Sequence, residues 1–199
     1  MANNSTNVSV MKGDATGYAF RAPKGTTIPA DPAVRNLDPA FKGLGYINSD
    51  GIVNAFSSDS DEQQDMNGTT VVTMKTSFSE TFQFVLMERN ENSLKTFFGN
   101  SNVGKLAEKS ATGKGDIQLV KHNANFDSLD VYVFRMITGE DESSIEYTDV
   151  CIPLGKVTDR GDIPMSGTAL YTLDVTVSCQ PDASGNTAYM YTTTVQKGA

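Results

Sequence analysis

Between Phe78 and Glu88 the residues Phe78, Phe82, Phe84 and Leu86 recur at period two, interrupted only by Glu80, while Ser79, Thr81 and Gln83 occupy the other side. A strand with one apolar and one polar face has this period, because successive side chains point to opposite sides of a pleated sheet. The preceding run, Thr70 to Thr76, is rich in β-branched residues, so the sequence predicts that the two segments pair as an antiparallel hairpin. The turn is expected near Lys75 to Ser77.

Immediately afterwards the period changes. Leu94, Phe97 and Phe98 are spaced as on one helical face, and Glu91 precedes Lys95 in the favoured order for an ion pair one turn apart. This predicts a helix over Asn90 to Phe98, with Asn90 as N-cap and Gly99 just past the end. A helix of about nine residues is not stable alone in water, so its Leu/Phe stripe must dock on a sheet. The aromatics read as core, not as a ligand-binding box.

The remaining segments read as more sheet. Tyr18 to Arg21 is a short strand, followed by a long irregular passage, Ala22 to Lys42, that carries Pro23, Pro29, Pro32 and Pro39. Its apolar Ile28, Val34, Leu37 and Phe41 suit a course along a surface, and so long a connection points to function or a partner. Gly45 to Asn48 and Ile52 to Asn54 read as strand pieces around an Asp50-Gly51 turn. Ser57 to Gly68, with Asp59, Asp61, Glu62 and Asp65 and no base, reads as a solvated acidic loop. Ser101 to Gly115 is weakly patterned, with a strand at Asp116 to Lys121. Leu129 to Thr138 is a strand covered on both faces or facing a partner, and Ile145 to Val157 another, with Pro153 at an edge or a bulge. Thr168 to Ser178 alternates cleanly, and Thr187 to Val195 closes the sheet. About eight strands and one helix imply a sandwich or barrel-like β domain.

Length favours a single core, since a chain of 199 residues buries about 70% of its unfolded surface on folding. Residues up to about 16 are rich in Asn, Ser and Thr and read as a flexible N-terminal arm, leaving one domain over 17–197. A formal charge of −8 opposes any role that grips phosphate backbones, although it suits a surface past which DNA moves. No apolar run reaches bilayer-spanning length and Met1 to Lys12 has no signal-peptide core, so synthesis in a cytoplasm and no membrane are expected. Cys151 and Cys179 then read as reduced, small core residues.

The sequence assigns no catalytic, metal or cofactor residue. His122 is the sole histidine and sits in a polar context without a nucleophile elbow, so it reads as a surface residue. Asp59, Asp61 and Asp65 have the spacing of a calcium loop, but Gln64 and Thr70 stand where its glycine and bidentate glutamate belong. Thr112 to Asp116 lacks the order of a phosphate-cradling loop. Arg160-Gly161-Asp162 fits a turn before Ile163-Pro164.

Tyr18-Ala19-Phe20-Arg21-Ala22-Pro23-Lys24-Gly25-Thr26-Thr27-Ile28-Pro29, then Leu37-Asp38-Pro39-Ala40-Phe41-Lys42-Gly43-Leu44-Gly45-Tyr46-Ile47 and Ser49-Asp50-Gly51-Ile52, resemble the major tail tube proteins of long-tailed bacteriophages, of the type found in phages of Gram-positive, especially actinobacterial, hosts. The likeness extends through Phe82 to Glu88 and Leu94 to Asn100. Beyond Asn123 only the β-rich pattern agrees. The resemblance implies a mainly β fold, a β-sandwich with one short flanking helix, whose sheet contributes to an inter-subunit β-barrel. It implies a homo-oligomer of stacked, hexameric rings in the virion tail, built around a tape-measure protein, meeting terminator and tip proteins, and passing DNA without binding it specifically. On that reading Phe20, Arg21, Leu37, Phe41, Asp59, Asp61, Glu62 and Asp65 are candidate assembly residues, and Ser79, Thr81 and Gln83 face the lumen. The alternative is an adhesive or carbohydrate-binding β-sandwich, motivated by Arg160-Gly161-Asp162, the tyrosines and the acidic loops.

Overall fold

The computed structural model describes residues 8–109, 113, 115–126, 128–139 and 143–196. The protein is mainly β, with 53% strand and 6% helix. The strands are β1 (Lys12–Gly13), β2 (Ala19–Pro23), β3 (Lys42–Gly43), β4 (Ile47–Gln64), β5 (Thr70–Leu86), β6 (Val103–Lys109), β7 (Asp116–Val120), β8 (Leu129–Thr138), β9 (Ser144–Arg160), β10 (Leu173–Cys179) and β11 (Tyr189–Gln196), with helix α1 (Glu91–Phe98) between β5 and β6. Nine strands form one antiparallel sheet, ordered β3-β2-β8-β9-β10-β5-β4, with β1 also on β8 and β11 also on β9. β6 and β7 form a separate pair.

The sheet folds back on itself through β9. The first part of β9 pairs with β11, from Ser144 to Cys151, and the last part with β10, from Gly155 to Arg160. Pro153 lies between the two, opposite the irregularity in the β8 ladder. A residue without an N–H fits where the strand changes partners, so the bulge option for Pro153 is the one realised. The fold-back brings β5 over β8: Phe84 meets Phe134 edge-on at 5.3 Å and Phe82 lies 5.8 Å from the same ring. Phe82, Phe84, Leu86, Tyr132, Phe134, Val157, Leu173, Val175 and Val177 form the main core. β10 is buried at every second residue from Leu173 to Cys179, but the strand begins later than the sequence pattern implies, at Leu173.

α1 forms as its sequence predicts. The Asn90 side chain accepts from the backbone N–H of Asn92 and Ser93, and the Ser93 hydroxyl accepts from the Asn90 N–H in return. Lys95 and Glu91 pair at 2.6 Å. Gly99 ends the helix at φ +94°, and a Cβ there would meet the Phe126 backbone at 2.8 Å, so both conformation and space demand glycine. Leu94, Phe97 and Phe98 are buried in the main core, with α1 packed against β10, β6 and β9.

A second, smaller core lies on the other face of β8 and β9. Ala22, Phe41, Val131, Val133 and Cys151 are buried there, with Phe20, Ile28, Leu37, Tyr189 and Tyr191 packed around them. Phe41, Leu37 and Ile28 come from the long passage, which therefore roofs the sheet. A charge network fastens it. Arg135 is 2% exposed and Asp149 fully buried; they pair at 3.0 Å, while Arg135 also donates to the carbonyls of Arg35 and Val34. Arg35 in turn pairs with Asp14, stacks over Tyr147 and lies 3.9 Å from Asp149. Two cations thus face two carboxylates, as buried charges require.

Several expectations are corrected. Thr70 to Leu86 is one strand, and its partner is β4. The turn expected near Lys75 to Ser77 does not form; a bulge lies there instead, where Asp59 pairs with Ser77 and Ser60 with Lys75, leaving Thr76 unpaired. The supposed acidic loop is strand from Ser57 to Gln64, and the chain turns only at Asp65 to Thr69. Asp50-Gly51 is likewise no turn but an irregularity within β4. Ser101 to Gly115 contributes β6. The N-terminal segment is docked from Lys12 onward, where β1 pairs with β8 and Asp14 is buried; residues 1–7 lie outside the described residues. Cys151 and Cys179 are free and buried, as expected.

Candidate assembly surfaces

The most distinctive surface is the outer part of the β4/β5 hairpin. Every residue from Val53 to Ser79 is exposed, so from Ser79 to its tip the hairpin projects roughly 30 Å from the body at ~3.3 Å per residue. At the tip Asp65 organises the reversal. Its carboxylate accepts from the N–H groups of Asn67 and Thr69 at 2.8 Å each, and Gly68 supplies φ +79°. Those two backbone donors hold the Asp65 carboxyl below its ordinary pKa.

Register divides the arm into two unlike faces. Phe56, Ser58 and Glu62 share one face with Phe78, Lys75 and Glu80, where Phe56 and Phe78 sit 6.4 Å apart and Lys75 lies 4.5 Å over the Phe78 ring. Phe56 is 67% and Phe78 47% exposed. This is the face that the buried Phe82 and Phe84 continue into the core. Phe78 thus shares the core face, as its period predicts, yet is not part of the core. Glu80 is, at 5% exposed, accepting from Asn54 at 2.7 Å and from Thr187.

The opposite face carries Ser57, Asp59 and Asp61 beside Ser77, Ser79, Thr81 and Gln83. Ser77 donates to Asp59 at 2.7 Å. The face runs on across β10, where Asp174, Thr176 and Ser178 alternate with buried valines and Gln83 donates to Asp174 at 3.2 Å. Hydroxyls, amides and carboxylates dominate this wall, with Val53, Val72 and Met74 as its exposed apolar members. The sequence places Ser79, Thr81 and Gln83 together; only the structure joins Asp59 and Asp61 to them.

The other sequence-selected residues sit elsewhere. Glu62 is on the Phe56/Phe78 face, where Thr70 donates to it at 3.2 Å. Phe20, Leu37 and Phe41 belong to the chain's own second core. Arg21 is 7% exposed and bonds Asp130 at 2.5 Å, Asn100 at 2.9 Å and Thr96 and Ser128 at 3.2 Å, tying β2 to α1. Within the single chain these residues pack inward, and the passage supplies the apolar cover that β8 and β9 need. Missed by sequence reasoning were Phe56 and Phe78 as an exposed pair; their aromatic character on a polar strand is the available signal.

No group of three or more His, Cys, Asp or Glu side chains placed to hold a metal ion occurs among the described residues. Arg160 is turned inward, its guanidinium 3.7 Å over Phe126 and donating to the Phe97 carbonyl, and Gly161 bonds Asp174. Arg160-Gly161-Asp162 is therefore no presented adhesive loop. His122 is exposed and rests on Phe98 at 4.6 Å. The Thr112 to Asp116 loop lies partly outside the described residues.

A projecting two-stranded ribbon, wet on both faces and leading from a polar wall, is the form of a subunit that completes itself on neighbours. The family model described as phage tail tube protein matches residues 1–198. The chain belongs to the phage tail tube protein family. No curated protein matches it. As a phage tail tube protein it is a structural, tube-forming component of the virion tail. No helix among the described residues is long and apolar enough to cross a membrane.

Proposed function

We propose that this tail tube protein assembles into stacked hexameric rings whose inner wall is the polar face of β4, β5 and β10, forming a conduit for DNA delivery. The observation that carries the reading is the arm itself. An isolated two-stranded ribbon is marginally stable in water, and this one exposes Phe56, Phe78, Val71, Val72 and Met74 besides. The outer edge of β4 ends the sheet. A neighbour's strand on that edge removes an unpaired ladder, and closing a ring removes it from every copy.

The wall chemistry fits the cargo. Ser79, Thr81, Gln83, Thr176 and Ser178 offer neutral hydrogen-bonding groups, while Asp59, Asp61 and Asp174 repel phosphates, so DNA passes without being held. Glu62, on the other face of the arm, and Asp65, at its tip, are the candidates for contacts between subunits or rings. Tape-measure, terminator and tip proteins are the further partners of such a tube. The domain comprises one β-sandwich, and the N-terminal segment is a further candidate for contact with a neighbour.

Negative-stain microscopy tests the proposal. The concentrated protein is expected to give tubes of uniform bore or discrete sixfold rings. A variant joining Ser58 to Phe78 through Asn-Gly keeps the hairpin register; it is expected to fold as a monomer and give no tubes. Normal tubes from that variant overturn the role of the arm.

A further inference from the structure

The arm's tip carries the chain's single Asn-Gly pair, Asn67-Gly68. Both residues and Met66 before them are exposed, and a Cβ built on Gly68 meets nothing within 4 Å, so the tip is unpacked on that side. Other asparagines are held in place: Asn90 caps α1, and Asn102 is buried with its amide donating to Phe98, Asn123 and Asn125. At the tip the Asn67 side-chain amide and backbone N–H both donate to the Asp65 carboxylate. The Gly68 N–H is held only by the Asp65 carbonyl, at 3.1 Å. That bond lies at the end of a two-stranded ribbon, where local opening costs least.

Resting on the tube reading above for its effect on assembly, we propose that Asn67-Gly68 is a deamidation site in the free subunit, and that its conversion takes the arm's tip out of contact with neighbours. Glycine has no Cβ to obstruct a ring closing on its own nitrogen. When the Asp65 bond opens, the Gly68 nitrogen gives its proton to solvent base and bonds to Cγ of Asn67. Nδ2 leaves with a proton as ammonia. Water then opens the resulting succinimide at either carbonyl, giving aspartate, or isoaspartate with the main chain routed through the side-chain carbon. One ammonia is lost and one water gained, with no oxidant or reductant. Either product replaces an amide that donates to Asp65 by a carboxylate that repels it. Isoaspartate also inserts a methylene between Asp65 and Thr69, shifting the Thr69 N–H that holds the turn. An unassembled subunit therefore has a limited time in which to be incorporated.

Peptide mapping by mass spectrometry tests the site. The purified chain, kept dilute and unassembled at about pH 8, is expected to convert Asn67 to aspartate and isoaspartate, the latter also read by isoaspartyl methyltransferase labelling. Asn67→Gln, which cannot close the same five-membered ring, should stay unconverted at that position. Conversion should be slower in chain already pelleted as tubes. After equal incubation the wild type should lose tube yield roughly tenfold, because like charges brought to a contact oppose it, while Asn67→Gln keeps its own fresh yield. An Asn67 that stays amidated overturns the site. Full conversion with undiminished tube yield, or equal conversion rates in tubes and free chain, overturns the effect on assembly and leaves the tail tube reading intact. Absence of tubes from the fresh wild-type chain overturns that reading and the assembly effect with it, while the peptide map still decides the site.

Discussion

The two halves of β5 share one strand and one partner, yet they live in different solvents. From Glu80 to Leu86 every second side chain is buried in the main core; from Thr70 to Ser79 none is. The outer half also holds apolar residues, Val71, Val72, Met74 and Phe78. What separates the halves is whether another element of the same chain lies across them. β8 covers the inner half through Phe134, whereas nothing among the described residues covers the outer one. Alternation therefore specifies which side of a strand can be buried, but the opposing layer decides whether it is.

That contrast can be broken by mutation. Phe84→Ala removes a ring that is 1% exposed and should cost about 3–5 kcal/mol of monomer stability, measured by urea unfolding. Phe78→Ala, three repeats of the pleat away on the same face, should change monomer stability by less than about 0.5 kcal/mol and instead reduce tube yield. Equal losses from the two would refute the division. A buried-charge test follows at a similar scale. Arg135→Met leaves Asp149 with Arg35 at 3.9 Å and should cost roughly 3–5 kcal/mol, with amide exchange rising first in the 24–41 passage.

Packing also sets a steric comparison. A Cβ on Gly155 would meet Tyr132 at 2.7 Å and Val177 at 2.8 Å, so Gly155→Ala should cost about 1–3 kcal/mol through overpacking. Alanine at Gly43, where a Cβ meets nothing within 4 Å, should be nearly neutral in thermal melts.

The smallest effects are in titration, and they point in opposite directions. Asp149 is raised above 3.8, chiefly by burial, with Arg135 and Arg35 opposing. Its native form binds the proton more tightly, so its contribution to stability is greatest below 3.8 and declines as pH rises through the raised value. Asp65 is lowered below 3.8 by the Thr69 and Asn67 amides. It supports the turn above that pH and loses this as pH falls through its native value. Carboxyl-selective NMR should find the two midpoints on either side of 3.8, and a shared midpoint would refute the contrast. Burial also pushes the Cys151 and Cys179 thiols up to about 12, so neither should react with a thiol reagent at pH 8 until urea unfolds the chain.

Local signals carried far into the fold. Asn90, Ser93 and Gly99 determine α1 almost residue by residue, because capping bonds span at most four positions. The boundaries of β8 and the buried face of β10 followed from composition and alternation alone. The family resemblance rested on the segments around Phe20, Phe41 and Phe82. The pairing of β5 was not legible: β-branched propensity cannot distinguish one long strand from a hairpin, and a bulge at Thr76 imitates a turn. Arg21, a candidate assembly residue in the sequence, has its partners at Thr96, Asn100, Ser128 and Asp130, far along the chain.

By itself, then, the sequence determined α1, β8, the polar face of Ser79, Thr81 and Gln83, and the acidic character of the arm, since these depend on neighbours within a few residues. Tertiary structure alone decided that the acidic stretch is strand, that Phe41 roofs a second core and that Arg135 meets Asp149. It also decided that Phe56 and Phe78 stay bare. Those outcomes depend on which distant segments come to lie across one another, and that is fixed only when the whole sheet folds back at Pro153.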